Sequence, residues 1–446
     1  MDTLLITLTL MLLAVATAGA APLQLSLKGA IGMALDKNNQ VRAAGYGVTA
    51  ARQGVAIARS GYFPTLDFDE TFSASNAPTQ AFMMKLDEGR FTNNDFLIDT
   101  LNHPSSHHDF RTSLTVGLNL YNPAISPGRE MAAKDADKSE ADLLMTRQDI
   151  AFLVFRQYLV IKKSEAQLFA TEKAVEDGRE NLRLALVRGS AGVGLKSDEL
   201  RAKTHLSALE QQHITARNNC ELAKVRLATL VGLPEDTEIE AVDPLISGSG
   251  VTTTGEMIRT ALGNRPDLKG IIAERDKMDA AASLARRSWL PALNGFATYQ
   301  MNAQDAPFTS DNDAWVAGVS LKWRMFDGFR RDREHDRAVA GRQAAAEMLE
   351  DRSREIEYQV RESILRRDEM SKRLDVSRNS LAEAEETVRL IRSRYENSLS
   401  TMVELLDAQT SLNRARADLV ENEADYSLSA GRIYYASGIF VKEMLK

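Results

Sequence analysis

Tyr62-Phe63-Pro64-Thr65-Leu66 returns later in the chain as Trp289-Leu290-Pro291-Ala292-Leu293. The offset is 291 − 64 = 227, and without a gap it also pairs Ala58-Arg59 with Ala285-Arg286 and Ala34-Leu35 with Ala261-Leu262. Further along, the offset becomes 438 − 232 = 206. It then matches Leu168, Val175, Leu182 and Arg188 with Leu374, Leu381, Val388 and Arg394, and it still holds at Gly232 and Gly438. Each unit is far longer than a solenoid repeat, so the chain is a duplicated half-domain rather than an array. The two halves are expected to build one pseudo-symmetric body.

Composition narrows the class. Of 446 residues only 6% are aromatic, while Ala, Leu, Glu and Arg fill the long middle stretches, a mix suited to long helices packed through small residues. A net charge of −7 offers no basic stripe for nucleic acid, and none is expected as a partner. The single cysteine, Cys220, excludes an intrachain disulfide and a cysteine zinc cluster, and its position fits plain helix packing. Leu4–Val15 followed by Ala-x-Ala reads as a secretory signal cut after Ala20, although only Asp2 is charged ahead of it. No later stretch reaches the ~18 apolar residues of a spanning helix. An exported chain of this kind is either soluble or crosses an outer membrane as strands.

The expected organisation is a signal peptide at 1–20, a first repeat at 21–232, a linker at 233–251, a second repeat at 252–438 and a tail at 439–446. The first repeat carries strands at about 66–75 and 112–121 and a helical hairpin at 124–231. The second carries strands at about 293–301 and 315–325 and a hairpin at 328–436. Leu114, Val116, Leu118 and Leu120 alternate with Thr115, Gly117, Asn119 and Tyr121, and Val319, Leu321, Trp323 and Met325 alternate with polar neighbours. One apolar and one polar face over ~9–10 residues suits a membrane barrel strand, and equally a half-buried soluble sheet. After each strand pair the period turns helical. Ile161, Leu168, Val175 and Leu182 fall seven apart, as do Leu374, Leu381, Val388 and Tyr395, which is a supercoiling seam. Some 65 residues of helix at ~1.5 Å each would reach about 100 Å, more than a compact domain needs. The fold class is therefore mainly α with a small β part.

Four strands cannot close a barrel, and their edges would stay unpaired in lipid at several kcal/mol per group. If they enter a membrane, copies must combine, and three copies give twelve strands and room for a lumen.

At this point the chain resembles the TolC family of outer-membrane efflux channels across about 25–438. The strongest segment is Arg394-Tyr395 followed by Val403-Glu404-Leu405-Leu406-Asp407-Ala408-Gln409-Thr410. It is similar to the family's stretch at the helical hairpin near the periplasmic entrance. Ser197-Asp198-Glu199-Leu200 resembles the equivalent first-half hairpin, and Leu120-Tyr121-Asn122-Pro123 and Met325-Phe326-Asp327-Gly328 resemble the strand-to-helix junctions. The resemblance implies a homotrimer with a twelve-stranded barrel in outer-membrane lipid and a helical periplasmic tunnel. It also implies a periplasmic adaptor and an inner-membrane pump as partners, and no cofactor.

By the same resemblance Glu404 and Asp407, three apart on one helix face, line the tunnel constriction. Threefold symmetry would stack them as rings that favour cations. Tyr395, Asp198 and Ser197 match the family's closure network, whereas its arginine falls on Ser400 and a tip glycine on Ser398. The first tip keeps Gly192, and Gly192 and Ser398 are the expected adaptor-contact tips. Closure is expected to lean on Tyr395–Asp198.

Two decoys are set aside. Gly189–Ser197 nearly spells a phosphate-binding loop, but Leu195 separates glycine from lysine and a helix precedes it. His103, His107, His108 and Asp109 cluster in the first long loop, and loop polarity accounts for them better than metal binding. With no nucleophile–base pair, zinc motif or dinucleotide fingerprint, the chain is expected not to be an enzyme. The leading expectation is passive, gated export through an outer-membrane channel, for efflux or type I secretion. The alternative is a soluble periplasmic coiled-coil scaffold or adaptor, which would carry a lipoyl-like or small barrel domain and no whole-chain duplication.

Overall fold

The computed structural model describes residues 23–234, 236–244 and 253–446. The expected signal peptide at 1–20, together with Glu235 and residues 245–252 of the linker, lies outside them. In chain order the elements begin with β1 (Leu23–Leu25), α1 (Leu27–Lys37), α2 (Asn39–Ser60), β2 (Thr65–Ser75), α3 (Pro78–Asp87) and α4 (Ile98–Asn102). There follow β3 (His107–Tyr121), α5 (Ile125–Ser190), α6 (Lys196–Val231), β4 (Ile239–Ala241), α7 (Thr254–Asn264) and α8 (Pro266–Arg287). The last are β5 (Ala292–Ala303), β6 (Asn312–Lys322), α9 (Arg330–Glu396), α10 (Met402–Ala436) and α11 (Phe440–Met444). Two compact units result. One takes the residues up to Tyr46, Ala141–Leu268 and Asp351–Lys446, the other Gly47–Glu140 and Lys269–Glu350.

The second of these holds a four-stranded antiparallel sheet in the order β2-β3-β5-β6. The repeated proline motif is the turn that converts helix into strand. Phe63 N–H donates to Ser60 O (2.9 Å) and Leu290 N–H to Arg287 O (3.0 Å), and the strands start at Thr65 and Ala292. Ladder register puts Leu66, Val116, Ala297 and Ala317 in one row and Phe68, Leu114, Tyr299 and Trp315 in the next. These residues share one face, since side chains alternate. Trp315 on that face is 78% exposed. The opposite face carries Asp69, Ser113, Thr115, Asn294, Thr298 and Ser320, with Phe296 and Val316 as its large apolar members, so it is mainly polar. Helices of the same unit are tied by ion pairs such as Lys277–Asp135 (2.7 Å) and Lys138–Glu274 (3.0 Å).

Strand limits differ from expectation at three places. β3 starts at His107 rather than 112, and β6 spans Asn312–Lys322 rather than 315–325. The extra residues of β3 pair in full with Ser75 to Thr71 of β2, but both their faces carry polar groups, which hides the alternation. Trp323 leaves the strand to donate its indole N–H to Trp289 O (3.1 Å), and Arg331 stacks on the Trp289 ring at 4.4 Å. The expected long loop after β2 is largely helical, comprising α3, a 3-10 turn at Asn93–Phe96, and α4. Its rings Phe82, Phe91 and Phe96 pack together, with Phe82 and Phe91 4.5 Å apart.

The other unit has its core where Ile31, Ala34, Phe155, Ile161, Leu227 and Phe440 are fully or nearly fully buried. Phe440 corrects the expectation of a plain tail, because α11 is docked by it. The linker likewise contributes a strand, β4, paired in parallel with β1. The Tyr158 hydroxyl clamps this pair, donating to Leu25 O (3.1 Å) and accepting from Asp243 N–H (2.8 Å). Arg265 is a second buried tie, reaching Asp267 (2.6 Å), Gln359 Oε1 (2.6 Å) and Ala436 O (3.3 Å). Gly232 and Gly438, matched in the repeat, both take left-handed backbone at φ 72° and 71° where the helical hairpins end. A Cβ at either would crowd Lys37 or Arg265, so glycine is required there. Of the seam residues, Ile161, Val175, Leu374, Val388 and Tyr395 are buried, whereas Leu168, Leu182 and Leu381 are half-buried. Cys220 is a buried packing residue.

Tyr158→Phe leaves the Asp243 amide without its acceptor and the Leu25 carbonyl with the Val242 N–H alone (3.3 Å), and should cost about 1–3 kcal/mol. A thermal melt of the purified protein checks it, and an unchanged midpoint would remove the clamp.

Candidate functional site

The two helical hairpins turn in the same way. Gly192 (φ 71°) and Ser398 (φ 62°) are repeat mates in left-handed backbone. Val193 N–H donates to Arg188 O (3.1 Å), and its mate Leu399 N–H to Arg394 O (2.8 Å). Serine in this conformation costs about 1–2 kcal/mol relative to the right-handed region. The Ser398 hydroxyl offsets part of this by accepting from Arg188 Nη2 at 2.9 Å.

Arg188 does more than that. Its guanidinium lies over the Tyr395 ring at 4.7 Å and donates to the carbonyls of Tyr395 (2.6 Å) and Glu396 (3.3 Å). A cation placed on the last carbonyls of a helix satisfies orphan acceptors and opposes the helix dipole. Tyr395 itself is buried among Ala185, Ala202, Met402 and Leu405. Among the described residues its hydroxyl has no hydrogen-bond partner, and burial pushes it above the ordinary tyrosine range, with Arg188 opposing. Asp198 is half-buried in the first turn of α6, near enough to weigh on Tyr395, but no hydrogen bond joins the two within one chain. Ser197 is exposed beside it.

Glu404 and Asp407 are both exposed, away from the packed side of α10. Glu404 has a second task. Thr401 caps α10, and the Glu404 carboxylate accepts from Thr401 N–H (3.0 Å) and from the Ser400 hydroxyl, completing a capping box. The Ser400 hydrogen bond, then the Thr401 amide, holds Glu404 below the usual carboxylate range. Asp407 borders a groove of about 530 Å³ with Val403 and Leu406 on one side and Leu200, Arg201 and His205 on the other. Burial depresses His205 below the usual imidazole range.

Deeper in this unit lies a polar layer that sequence reasoning missed. Asp177 accepts from Gln409 Nε2 (2.9 Å) and Arg416 Nη1 (3.2 Å) and lies 3.6 Å from Arg392. Asn181 and Gln409 are fully buried beside the aliphatic seam. Arg188 was visible as the mate of Arg394, but its acceptors are carbonyls two hundred residues away, which no local pattern reveals. The Thr401–Glu404 spacing was a legible cap signal.

The histidine cluster is not a loop feature. His103 caps α4, while His107, His108 and Asp109 belong to β3. Among the described residues no group of three or more His, Cys, Asp or Glu is placed to hold a metal ion. None of the described helices is long and apolar enough to cross a membrane.

The family model for the outer membrane efflux protein matches residues 30–233 and 257–438. The chain belongs to the outer membrane efflux protein family. Both halves of the duplication fall inside the match, which places the chain in the outer membrane. Nodulation protein T of Rhizobium leguminosarum bv. trifolii is 24% identical over 302 residues, 65% of this chain and 62% of that protein. That match spans less than two thirds of the relative's length. The pyoverdine export outer membrane protein OpmQ of Pseudomonas aeruginosa is 23% identical over 341 residues, covering 75% of this chain and 71% of that one. In fold, the crystal structure of the Campylobacter jejuni CmeC outer membrane channel superposes with a TM-score of 0.79 at 16% identity, over 94% of this chain and 89% of that one. The TolC-like fold of the single chain, mainly helical with a small strand part, is thereby established.

With the folded value of Glu404 depressed, its capping contribution is present at neutral pH and lost as pH falls through the acidic range. Amide exchange at the start of α10 should therefore rise on acidification below about pH 4. Thr401→Ala should make that exchange fast at every pH; an acid-insensitive wild type would refute the capping role.

Proposed function

We propose that the chain is one protomer of a homotrimeric outer-membrane channel, giving passive, gated export in an efflux or type I secretion system. The observation that carries this is the four-stranded sheet, apolar on one face, polar on the other and open at both edges. Such edges are satisfied in hydrocarbon only by pairing with further copies. Three copies give twelve strands with the polar faces turned to water. Energy would come from an inner-membrane pump joined through a periplasmic adaptor, so the chain itself performs no catalysis. The exposed tips at Gly192 and Ser398 suit contact with that adaptor.

At the entrance, Glu404 and Asp407 would form stacked acidic rings. Both project from the unpacked side of α10, as lining residues must. Closure would rest on Tyr395, Asp198 and Ser197, with Arg188 supplying the guanidinium that Ser400 does not. The unpartnered Tyr395 hydroxyl is a donor available to Asp198 or to a neighbouring protomer. Individual links of this kind are worth ~0–1 kcal/mol where exposed, which suits a gate that opens.

The experiment is detergent extraction followed by single-channel recording in planar bilayers. A heat-modifiable trimer from the outer-membrane fraction that conducts ions supports the reading; a buffer-soluble monomer overturns it. Glu404→Gln with Asp407→Asn should lower cation preference and abolish block by multivalent cations, and unchanged selectivity and block would take both residues out of the pore. Arg188→Ala should raise resting conductance severalfold, with Arg188→Lys restoring only part of the closed state because ammonium lacks the planar fork. A resting conductance equal to wild type would exclude Arg188 from closure.

A further inference from the structure

The segment between β2 and β3 lies outside the duplication. Residues 76–106 fill it, whereas its counterpart between β5 and β6 is only residues 304–311. It has its own interior. Phe82, Phe91 and Phe96 form the ring cluster, and Lys85 pairs with Asp95 at 2.6 Å. Asp95 also accepts from Thr92 N–H (2.7 Å) and Oγ1 (2.8 Å). Those bonds, led by Lys85, hold Asp95 down to about 2, so the segment keeps its shape at any ordinary pH.

The face of the sheet that receives this segment is decisive. Asp87 Oδ2 takes Arg111 Nη2 at 3.1 Å, and Asp87 O accepts from Asn312 Nδ2 at 3.0 Å. Glu88 lies 3.5 Å from His107 Nε2. Beside it, Asp109 accepts two bonds from Asn302 Nδ2, at 3.1 and 2.9 Å. Strand alternation places His107, Asp109, Arg111, Asn302 and Asn312 all on the polar face, opposite Phe68, Leu114, Tyr299 and Trp315. In the proposed channel that face lines the lumen.

Glu88 is the odd member of the contact. Its side chain is fully buried, yet among the described residues neither carboxylate oxygen has a hydrogen-bond partner, and the facing His107 Nε2 also has none. A buried carboxylate without donors is costly when ionised. Protonated, it can donate through Oε2 to the neutral imidazole Nε2, which satisfies two of the three orphan atoms and leaves Oε1 as an uncharged acceptor. The groups around it are mostly acidic: Asp109 on β3, Asp305 and Asp311 in the 304–311 turn, and Asp87 beside it. Arg90 at 3.8 Å and Arg111 oppose them.

We propose that residues 76–106 form a lid docked on the lumen face at the outer end of the barrel, latched by Asp87 and a protonated Glu88 and released as the external water turns from acidic to neutral. This rests on the channel reading and adds to it a second gate, at the exit. The direction follows from the chemistry. Burial first, then Asp109, raises Glu88 from its ordinary 4.5 to about 7. A free lid keeps the ordinary value, so the docked lid holds a proton that the free lid has lost between those limits. Docking is strongest in acid, weakens about tenfold per pH unit through the window, and is weakest above pH 7.

The test uses the full chain in intact cells, in a Cys220→Ser background, with a membrane-impermeant maleimide added outside. Ser113→Cys reports the polar face of β3 inward of the lid, and Ser310→Cys in the exposed turn corrects for the intrinsic pH dependence of the reagent. The Ser113/Ser310 labelling ratio should rise at least about tenfold from pH ~5.5 to ~7.5. With Glu88→Gln, which cannot ionise, the ratio should stay low at both values. With residues 79–105 replaced by a short Gly-Ser linker it should be high at both. A ratio that does not change with pH, or a rise that persists in Glu88→Gln, overturns the latch while leaving the channel intact. If Ser113→Cys stays unlabelled even without the lid, the polar face is not lined by water, and the channel reading falls with the lid.

Discussion

Backbone amides and carbonyls at the edge of a sheet must be paired, and hydrocarbon offers them no water. This constraint governs the molecule more than any side chain does. β2 and β6 each have one neighbour, so a single chain has two edges it cannot satisfy alone. The apolar rows through Phe68, Leu114, Tyr299 and Trp315 have the same incompleteness, being exposed until lipid covers them. Sheet and surface therefore ask for the same solution, association of copies within a membrane. The other unit needs no such help for its core, because Phe155, Ile161, Leu227 and Phe440 are already covered within one chain.

Duplication explains why the hairpin tips share a backbone and why their chemistry can diverge. Both tips need a left-handed residue after the long helix, and the same carbonyl-to-amide bond follows in each. Gly192 adopts that conformation without strain. Ser398 adopts it with a hydroxyl that Arg188 recruits, so one hairpin is tied to the other at the position where the two differ. The exchange of glycine for serine converts a turn into a contact. Around it, the acid at 404 caps its own helix while remaining exposed, so the residue proposed to line the pore is also a structural one.

Much of this was legible in the chain. The offsets of 227 and 206 located both halves, and the heptad spacing of Val175, Leu374, Val388 and Tyr395 anticipated which residues turn inward. Alternation failed where both faces of a strand were polar, as at His107–Arg111, and overran where Trp323 left β6 to bond Trp289. The helices of 76–106 were missed because their stability is a local aromatic cluster and a salt bridge, neither of which repeats with a helical period. Arg188, Asp177 and Glu88 were unreadable in their roles for a common reason. Each acts on partners that only the closed fold brings near. The resemblance points to a closure network at Tyr395 and Asp198, but no hydrogen bond joins the two within one chain, and the cation that attends Tyr395 comes from the other half of the chain.

The parallel pair β1–β4 carries a consequence for biogenesis. Among the described residues Leu23–Leu25 pair only with Ile239–Ala241, so this strand waits for more than half of the polypeptide to be synthesised and exported. Loop closure over such a span is slow, because the entropy of the intervening chain is lost before the contact forms. During that delay Leu25, Leu27 and Ile31, all buried in the finished fold, face water. A nascent chain in this state exposes an apolar segment that is prone to aggregate until residues 239–241 arrive to cover it.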